Sequence, residues 1–177
     1  MARAADIKIG AAEHQEAYER ATSGAGQRAA AHATFHLTRT YPHPAGKVWR
    51  ALTQPEAKAK WFSGTHGEWE LLERHMDLRV GGTERLKGRW QGGVVSDFQA
   101  TFHDIVENQR LIYSYVMHLN DNKISVSLAT LELTSDGAKT TLAVTEQGVF
   151  LDSYDDAGSR EHGTGLLLDA LGASLDD

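Results

Sequence analysis

Apolar and polar side chains alternate along most of this chain, and the alternation predicts strands. From Thr34 to Tyr41 one face carries Phe35, Leu37, Arg39 and Tyr41, and the other Thr34, His36, Thr38 and Thr40, the two-residue period of a half-buried strand. Pro42 and Pro44 fix φ and hold their predecessors extended, so the strand ends near Tyr41 and a helix begins about Pro44 or Ala45. Val48, Trp49 and Leu52 give that helix an apolar face. Pro55 suits the first turn of a second helix, which runs toward Trp61 and Phe62. Next, Glu68 to Glu73 and Leu78 to Val80 read as short strands, with Glu70, Glu73, Arg74, His75 and Asp77 marking an exposed polar connection. Gly81-Gly82 opens a strand from Thr83 to Trp90, and Gln91-Gly92-Gly93 closes it. Longer strands follow over Val94 to Val106, Leu111 to Leu119, Ile124 to Leu133 and Thr140 to Glu146. Short polar turns join them, most clearly Ser135-Asp136-Gly137, so the reading is an antiparallel meander.

The period changes near the C-terminus. From Ser159 to Leu175 the residues Leu166, Leu167, Leu168, Ala170, Leu171 and Leu175 recur at helical spacing, with Asp155, Asp156 or Ser159 available as caps. Gly163, Gly165 and Gly172 each weaken a helix interior by about 1 kcal/mol relative to Ala. Such a helix is held by packing, which calls for a sheet against it. Residues 1 to about 32 show no sustained apolar stripe, and Ser23-Gly24-Ala25-Gly26 breaks a short helix-like run from Glu13 to Ala21. The division expected is an N-terminal extension over 1–32, frayed or lightly packed, and one domain over 33–177.

Composition narrows the function classes. At 177 residues, with 41% hydrophobic and 24% charged, the chain is long enough for one domain with a core and a small cavity. A formal charge of −6 lacks the basic footprint of a general nucleic-acid binder. The absence of cysteine removes disulfides, thiolate metal sites and cysteine nucleophiles, and fits a reducing compartment. The first residues lack the basic segment, apolar run and cleavage site of a secretory signal, so none is expected, and no run of about 18 apolar residues occurs. The expectation is a soluble, cytoplasmic protein that does not insert into membranes. The nine histidines do not form metal-ligand spacings: His32 and His36 flank a predicted strand start, and His66, His75, His103 and His118 lie on separate segments. No metal and no cofactor is expected, and no Gly-x-Ser-x-Gly elbow points to serine catalysis.

A strand, two short helices, a meander and a final helix follow the order of the helix-grip fold, an α+β architecture. The segments Val48 to Pro55, Trp61-Phe62, Asp77 to Gly82, Arg110 to Tyr115 and Thr140 to Leu142 together resemble the activator of heat-shock-protein-90 ATPase homologue family, within the START-like (SRPBCC) superfamily. The resemblance spans about residues 34 to 175. It implies a curved antiparallel sheet wrapped around the C-terminal helix, with a cavity between them. The superfamily includes hydrophobic-ligand carriers, cyclases and co-chaperone domains, so the fold alone does not select among them.

Alternate side chains of the strands would line such a cavity. Phe102, Tyr113, Tyr115, Met117, Leu131, Leu142 and Val144 form the inward set, with Trp61, Phe62 and Trp69 near the mouth and His162 and Leu166 from the helix; the competing reading is that these side chains simply fill a core. Glu146 shares parity with Leu142 and Val144, and a buried carboxylate needs a partner. Arg79 or Arg89 would serve as one. Otherwise the strand ends before Glu146 and leaves it solvated. The acidic residues from Asp152 onward, set against Arg160, read as a solvated face or as a docking surface for a basic partner.

The favoured function is a non-enzymatic domain that binds a small hydrophobic or amphipathic molecule, using Trp61, Phe62, Trp69, Phe102, Tyr113, Tyr115, Met117, Val144, His162 and Leu166. Two alternatives stay open. One is a cyclase- or hydrolase-type enzyme with Glu146 and His162 as acid and base. The other is a co-chaperone-like interaction module acting through its surface, with a protein partner or a second copy of the chain.

Overall fold

The computed structural model describes Glu19 and residues 28–176. Most of the segment read as an N-terminal extension lies outside the described residues. The elements run in the order β1 (Ala30–Tyr41), α1 (Ala45–Thr53), α2 (Pro55–Ala59), β2 (Trp69–Met76), β3 (Thr83–Trp90), β4 (Val95–Val106), β5 (Arg110–Leu119), β6 (Asn122–Ser135), β7 (Thr140–Leu151) and α3 (Ala157–Ser174). The strands form one seven-stranded sheet in the order β1-β7-β6-β5-β4-β3-β2, and every neighbouring pair is antiparallel. The architecture is the α+β helix grip expected, with the long C-terminal helix packed on the sheet.

Why the sheet curves is visible in its register. Shifts of pairing between Leu71 and Glu73, Phe102 and Asp104, and Met117 and His118 interrupt three strands, and such irregularities bend a strand and increase its twist. The concave side buries the larger alternate residues. On β7 the buried positions are Thr140, Leu142, Val144, Glu146, Gly148 and Phe150. Val48, Trp49 and Leu52 of α1 and Leu168 and Leu171 of α3 complete the same core.

The helix glycines have a structural reason. Gly172 sits under the ring of Tyr41, where an added Cβ would come within 3.0 Å of Cε1. The Tyr41 hydroxyl in turn donates to the Leu168 carbonyl at 2.8 Å. Arg39 and Asp169 add an ion pair at 2.6 Å between the same two elements. Helix α3 is thus fastened to β1 at a place where close approach requires a small residue. Asp156 caps its start, accepting from the Ser159 N–H at 2.9 Å.

Several boundaries differ from the sequence pattern, and β1 already begins at Ala30, four residues before the expected Thr34, because it pairs with β7 from Ala30 onward. The expected strand Leu78 to Val80 is a bend and turn with both apolar residues exposed, Val80 at 62%. The expected polar connection is instead the continuation of β2 through Met76. As an edge strand paired only to β3, β2 carries polar residues to water while its pairing resumes past the shift between Leu71 and Glu73. Strand β7 runs five residues past Glu146, to Leu151, because it pairs on both sides, with β1 and β6. No described helix is long and apolar enough to cross a membrane.

Candidate functional site

Strand register explains why the concave face is hollow. The row Phe102–Tyr113–Ala129–Glu146 crosses β4, β5, β6 and β7, and the next rows are Ala100–Tyr115–Ser127–Gly148 and Phe98–Met117–Ser125–Phe150. On β6 the three positions are Ala129, Ser127 and Ser125, all small and all buried. Large side chains on β5 thus face small ones on β6, and the missing volume remains open beneath α3. A cavity of about 1100 Å³ lies there. Tyr113 and Met117 are only half-buried although strands cover both sides of β5; both line the cavity.

The sequence-derived site residues fall into three groups. Tyr113, Tyr115, Met117, Val144 and Leu131 line the sheet side, and Leu166 lines the helix side. Trp61, Phe62 and Trp69 line the end formed by the segment after α2. His162 lines the wall but is exposed, as are Lys60, His66 and Ser159, which marks this part as the rim. Phe102 and Leu142 belong elsewhere. Both are fully buried and neither lines the cavity; Phe102 instead supports Tyr113 from beneath, with ring centroids 6.2 Å apart. Both side chains are inside the fold, but packing buries them away from the open space, Phe102 at one end of the row whose other members, Tyr113, Ala129 and Glu146, line it, and Leu142 opposite Leu133.

An aromatic path runs through the wall. Trp61 and Phe62 have centroids 5.6 Å apart, Phe62 and Phe98 5.2 Å, and Phe98 and Tyr115 5.0 Å. Trp61 is fixed by donating from Nε1 to the Ala51 carbonyl at 2.8 Å. Near it Lys58 is buried against Glu84, with Nζ 2.6 Å from Oε2 and 4.9 Å from the Phe62 ring centroid.

At the inner end of this path lies a buried polar cluster. Tyr115 donates to Glu146 Oε1 at 2.6 Å and accepts from Arg160 Nη1 at 2.6 Å. Arg160 Nη1 also lies 3.5 Å from Glu146 Oε1, and Nη2 donates to Ser125 Oγ at 2.8 Å and to Asp155 Oδ2 at 2.5 Å. The guanidinium carbon stands 5.6 Å from the ring centroids of both Tyr115 and Phe150. Burial lifts the Tyr115 hydroxyl above its ordinary pKa, partly opposed by Arg160 and reinforced by Glu146. Tyr113 is lifted well above as well, chiefly by burial. Both hydroxyls therefore stay protonated across the physiological range. Burial alone would lower the pKa of Arg160, but Tyr115, Asp155 and Glu146 outweigh it and raise the value, so the guanidinium is always charged.

Glu146 is thus neither solvated nor paired with Arg79 or Arg89. It is 3% exposed, and those two arginines pair with Asp77 and Glu70. Arg160, read from the sequence as part of a solvated acidic face, is its partner. Glu146 hydrogen-bonds to Tyr115 and Arg160, and His162 is not among its partners. The sequence signal for Arg160 was its position one turn into a capped helix, on the side facing the carboxylate-bearing strand. Among the described residues, no group of three or more His, Cys, Asp and Glu side chains is placed to hold a metal.

The fold is shared with known structures. An uncharacterised protein from Rhizobium leguminosarum is 42% identical, with a TM-score of 0.80 over 85% of this chain and 99% of its own. Protein Mll3558 from Rhizobium loti is 39% identical, with a TM-score of 0.76 over 82% of this chain and 99% of its own. At 24% identity, protein CV1439 from Chromobacterium violaceum shares the fold, with a TM-score of 0.67 over 81% and 97% of the two chains. No curated protein matches the chain. The profile of the Activator of Hsp90 ATPase homolog 1-like protein family matches residues 42–176, which takes in both short helices, strands β2 to β7 and helix α3, and the chain belongs to that family.

Proposed function

We propose that this domain binds a small hydrophobic or amphipathic molecule in the space between the sheet and α3. The observation that carries the reading is the cavity of about 1100 Å³, slightly larger than the roughly 300–1,000 Å³ of small-molecule sites. Its wall supports the same reading. Aromatic and aliphatic side chains form much of the wall, and the buried cluster of Tyr115, Glu146 and Arg160 supplies fixed polar groups within it, which is how a pocket selects and orients an amphiphile. Helix α3 is fastened at Gly172 and Arg39–Asp169, so the space is held open by structure outside it.

Native mass spectrometry of protein purified from its own host, together with titration by the neutral fluorophore N-phenyl-1-naphthylamine, tests this. A retained molecule released on denaturation, or saturable probe binding, is expected. Leu166→Trp, which adds bulk from the helix side, should abolish probe binding while keeping the thermal transition. Saturable binding that survives the filled cavity would place the probe elsewhere and overturn the reading.

A further inference from the structure

We propose that the ligand's polar end is a hydrogen-bond donor, a hydroxyl or an ammonium, received by Glu146, and that carboxylate-headed amphiphiles are excluded. This rests on the cavity-binding reading above and names the class of molecule it would take.

The argument begins with which atoms are already committed. Among the described residues Arg160 is the only arginine in the cavity wall, and a guanidinium has five N–H donors. Its Nη1 serves Tyr115 and Glu146, and its Nη2 serves Ser125 and Asp155. Only the Nε donor is left, so the two-pronged grip that makes arginine a carboxylate receptor is spent inside the protein. Lys58, the buried lysine of the wall, is neutralised by Glu84 at 2.6 Å. Neither buried cation is available to an anionic head group.

Two groups of the wall are uncommitted. Tyr115 and Arg160 both approach Glu146 through Oε1, and among the described residues Oε2 receives no hydrogen bond. Glu146 is 3% exposed and lines the cavity. A carboxylate oxygen is acceptor-only when ionised, so Oε2 asks for a donor from whatever fills the space. The Tyr113 hydroxyl, also in the wall, makes no hydrogen bond to the described residues and stands in the same row of the sheet. Together they accept a donor from one side and offer a hydrogen bond from the other, the pattern that a hydroxyl satisfies completely.

Charge points the same way. Arg160 contributes +1, and Glu146 and Asp155 contribute −1 each, so the cluster carries a net charge of −1. A second carboxylate brought beside it would meet repulsion in surroundings of low dielectric. The remaining cations, Lys60 and any protonated His66 or His162, stand at the exposed rim, where water screens them.

The test is competition against bound N-phenyl-1-naphthylamine by dodecanol, dodecylamine and dodecanoate at pH 7.5, below their aggregation concentrations. Dodecanol and dodecylamine should displace the probe at least tenfold more effectively than dodecanoate. Glu146→Gln should collapse the amine's advantage, and Asp155→Asn, at the outer side of the cluster, should narrow the gap by admitting the acid; the second variant serves if the first does not fold. Dodecanoate competing as well as the alcohol would overturn the head-group assignment and leave the cavity reading standing. A preference unchanged in both variants would remove Glu146 from the role. Failure of the fluorophore and all three competitors to enter would overturn the cavity reading and this inference with it.

Discussion

The hydroxyl of Tyr115 stands between Arg160 and Glu146, 2.6 Å from a nitrogen of one and 2.6 Å from an oxygen of the other. This contact joins the middle of the sheet to the first turns of α3. It buries two opposite charges at 13% and 4% side-chain exposure, which are tolerable only because each is hydrogen-bonded on several sides.

Removing one partner leaves the other buried and uncompensated. Arg160→Met should destabilise the fold by about 3–5 kcal/mol, the usual cost of breaking a buried pair. Arg160→Lys should recover little, because an ammonium cannot reach Tyr115, Ser125 and Asp155 in one plane. Urea titration checks both, and the double variant Arg160→Met with Glu146→Gln should lose less than the sum of its single changes. Additive losses would mean that the two residues do not share their stabilisation.

The meander, the helical pair and the final helix were legible in the sequence because their periods are clean. Inward parity of Tyr113, Tyr115 and Glu146 was legible for the same reason. What parity does not contain is the register between strands. That Ala129, Ser127 and Ser125 lie opposite Tyr113, Tyr115 and Met117 is a property of two segments at once, and the hollow depends on it. Arg160 was hidden differently, among Asp152, Asp155, Asp156 and Glu161, where local composition imitates a solvated face. Leu78 and Val80 misled in the opposite sense, since three residues of alternating polarity fit a strand but Gly81, at φ 79°, turns the chain instead.

The second buried pair, Lys58 with Glu84, offers a contrast. Its side chains are 6% and 4% exposed, yet it ties the segment at the cavity end only to β3. Lys58→Met alone should cost about 3–5 kcal/mol, whereas Lys58→Met combined with Glu84→Leu should restore most of it, as apolar replacement of a whole buried pair often does. Thermal denaturation of the three variants checks this; a double variant as unstable as the single would show that Glu84 has a further structural role.

Trp69 is seated against glycine. A Cβ on Gly88, its neighbour on β3, would overlap the indole ring, and so would one on Gly64. Gly88→Ala should therefore displace Trp69 from the cavity wall and destabilise the protein by about 1–3 kcal/mol through overpacking. Tryptophan fluorescence of a variant that retains Trp69 while Trp49, Trp61 and Trp90 are replaced by Phe would report the displacement directly. An unchanged spectrum would mean that the backbone of β3 yields instead.

Asp97 supplies a pH signature on the opposite face. Burial alone would raise its pKa, but hydrogen bonds from Arg85, at 3.0 and 2.7 Å, and from Gln99 bring it below the ordinary carboxylate value of 3.8. A folded-state pKa below the unfolded one means that the unfolded chain binds the proton first as pH falls. Its contribution is therefore complete at neutral pH, begins to decline as pH approaches 3.8, and is lost as pH drops through the lower folded value. Asp97→Asn should reduce stability at pH 7 and flatten the dependence of the urea midpoint on pH between about 5 and 3, relative to the wild-type chain. If the two proteins lose stability in parallel over that interval, the acid sensitivity belongs to other carboxylates, and the ion pair of Asp97 with Arg85 does not contribute to it.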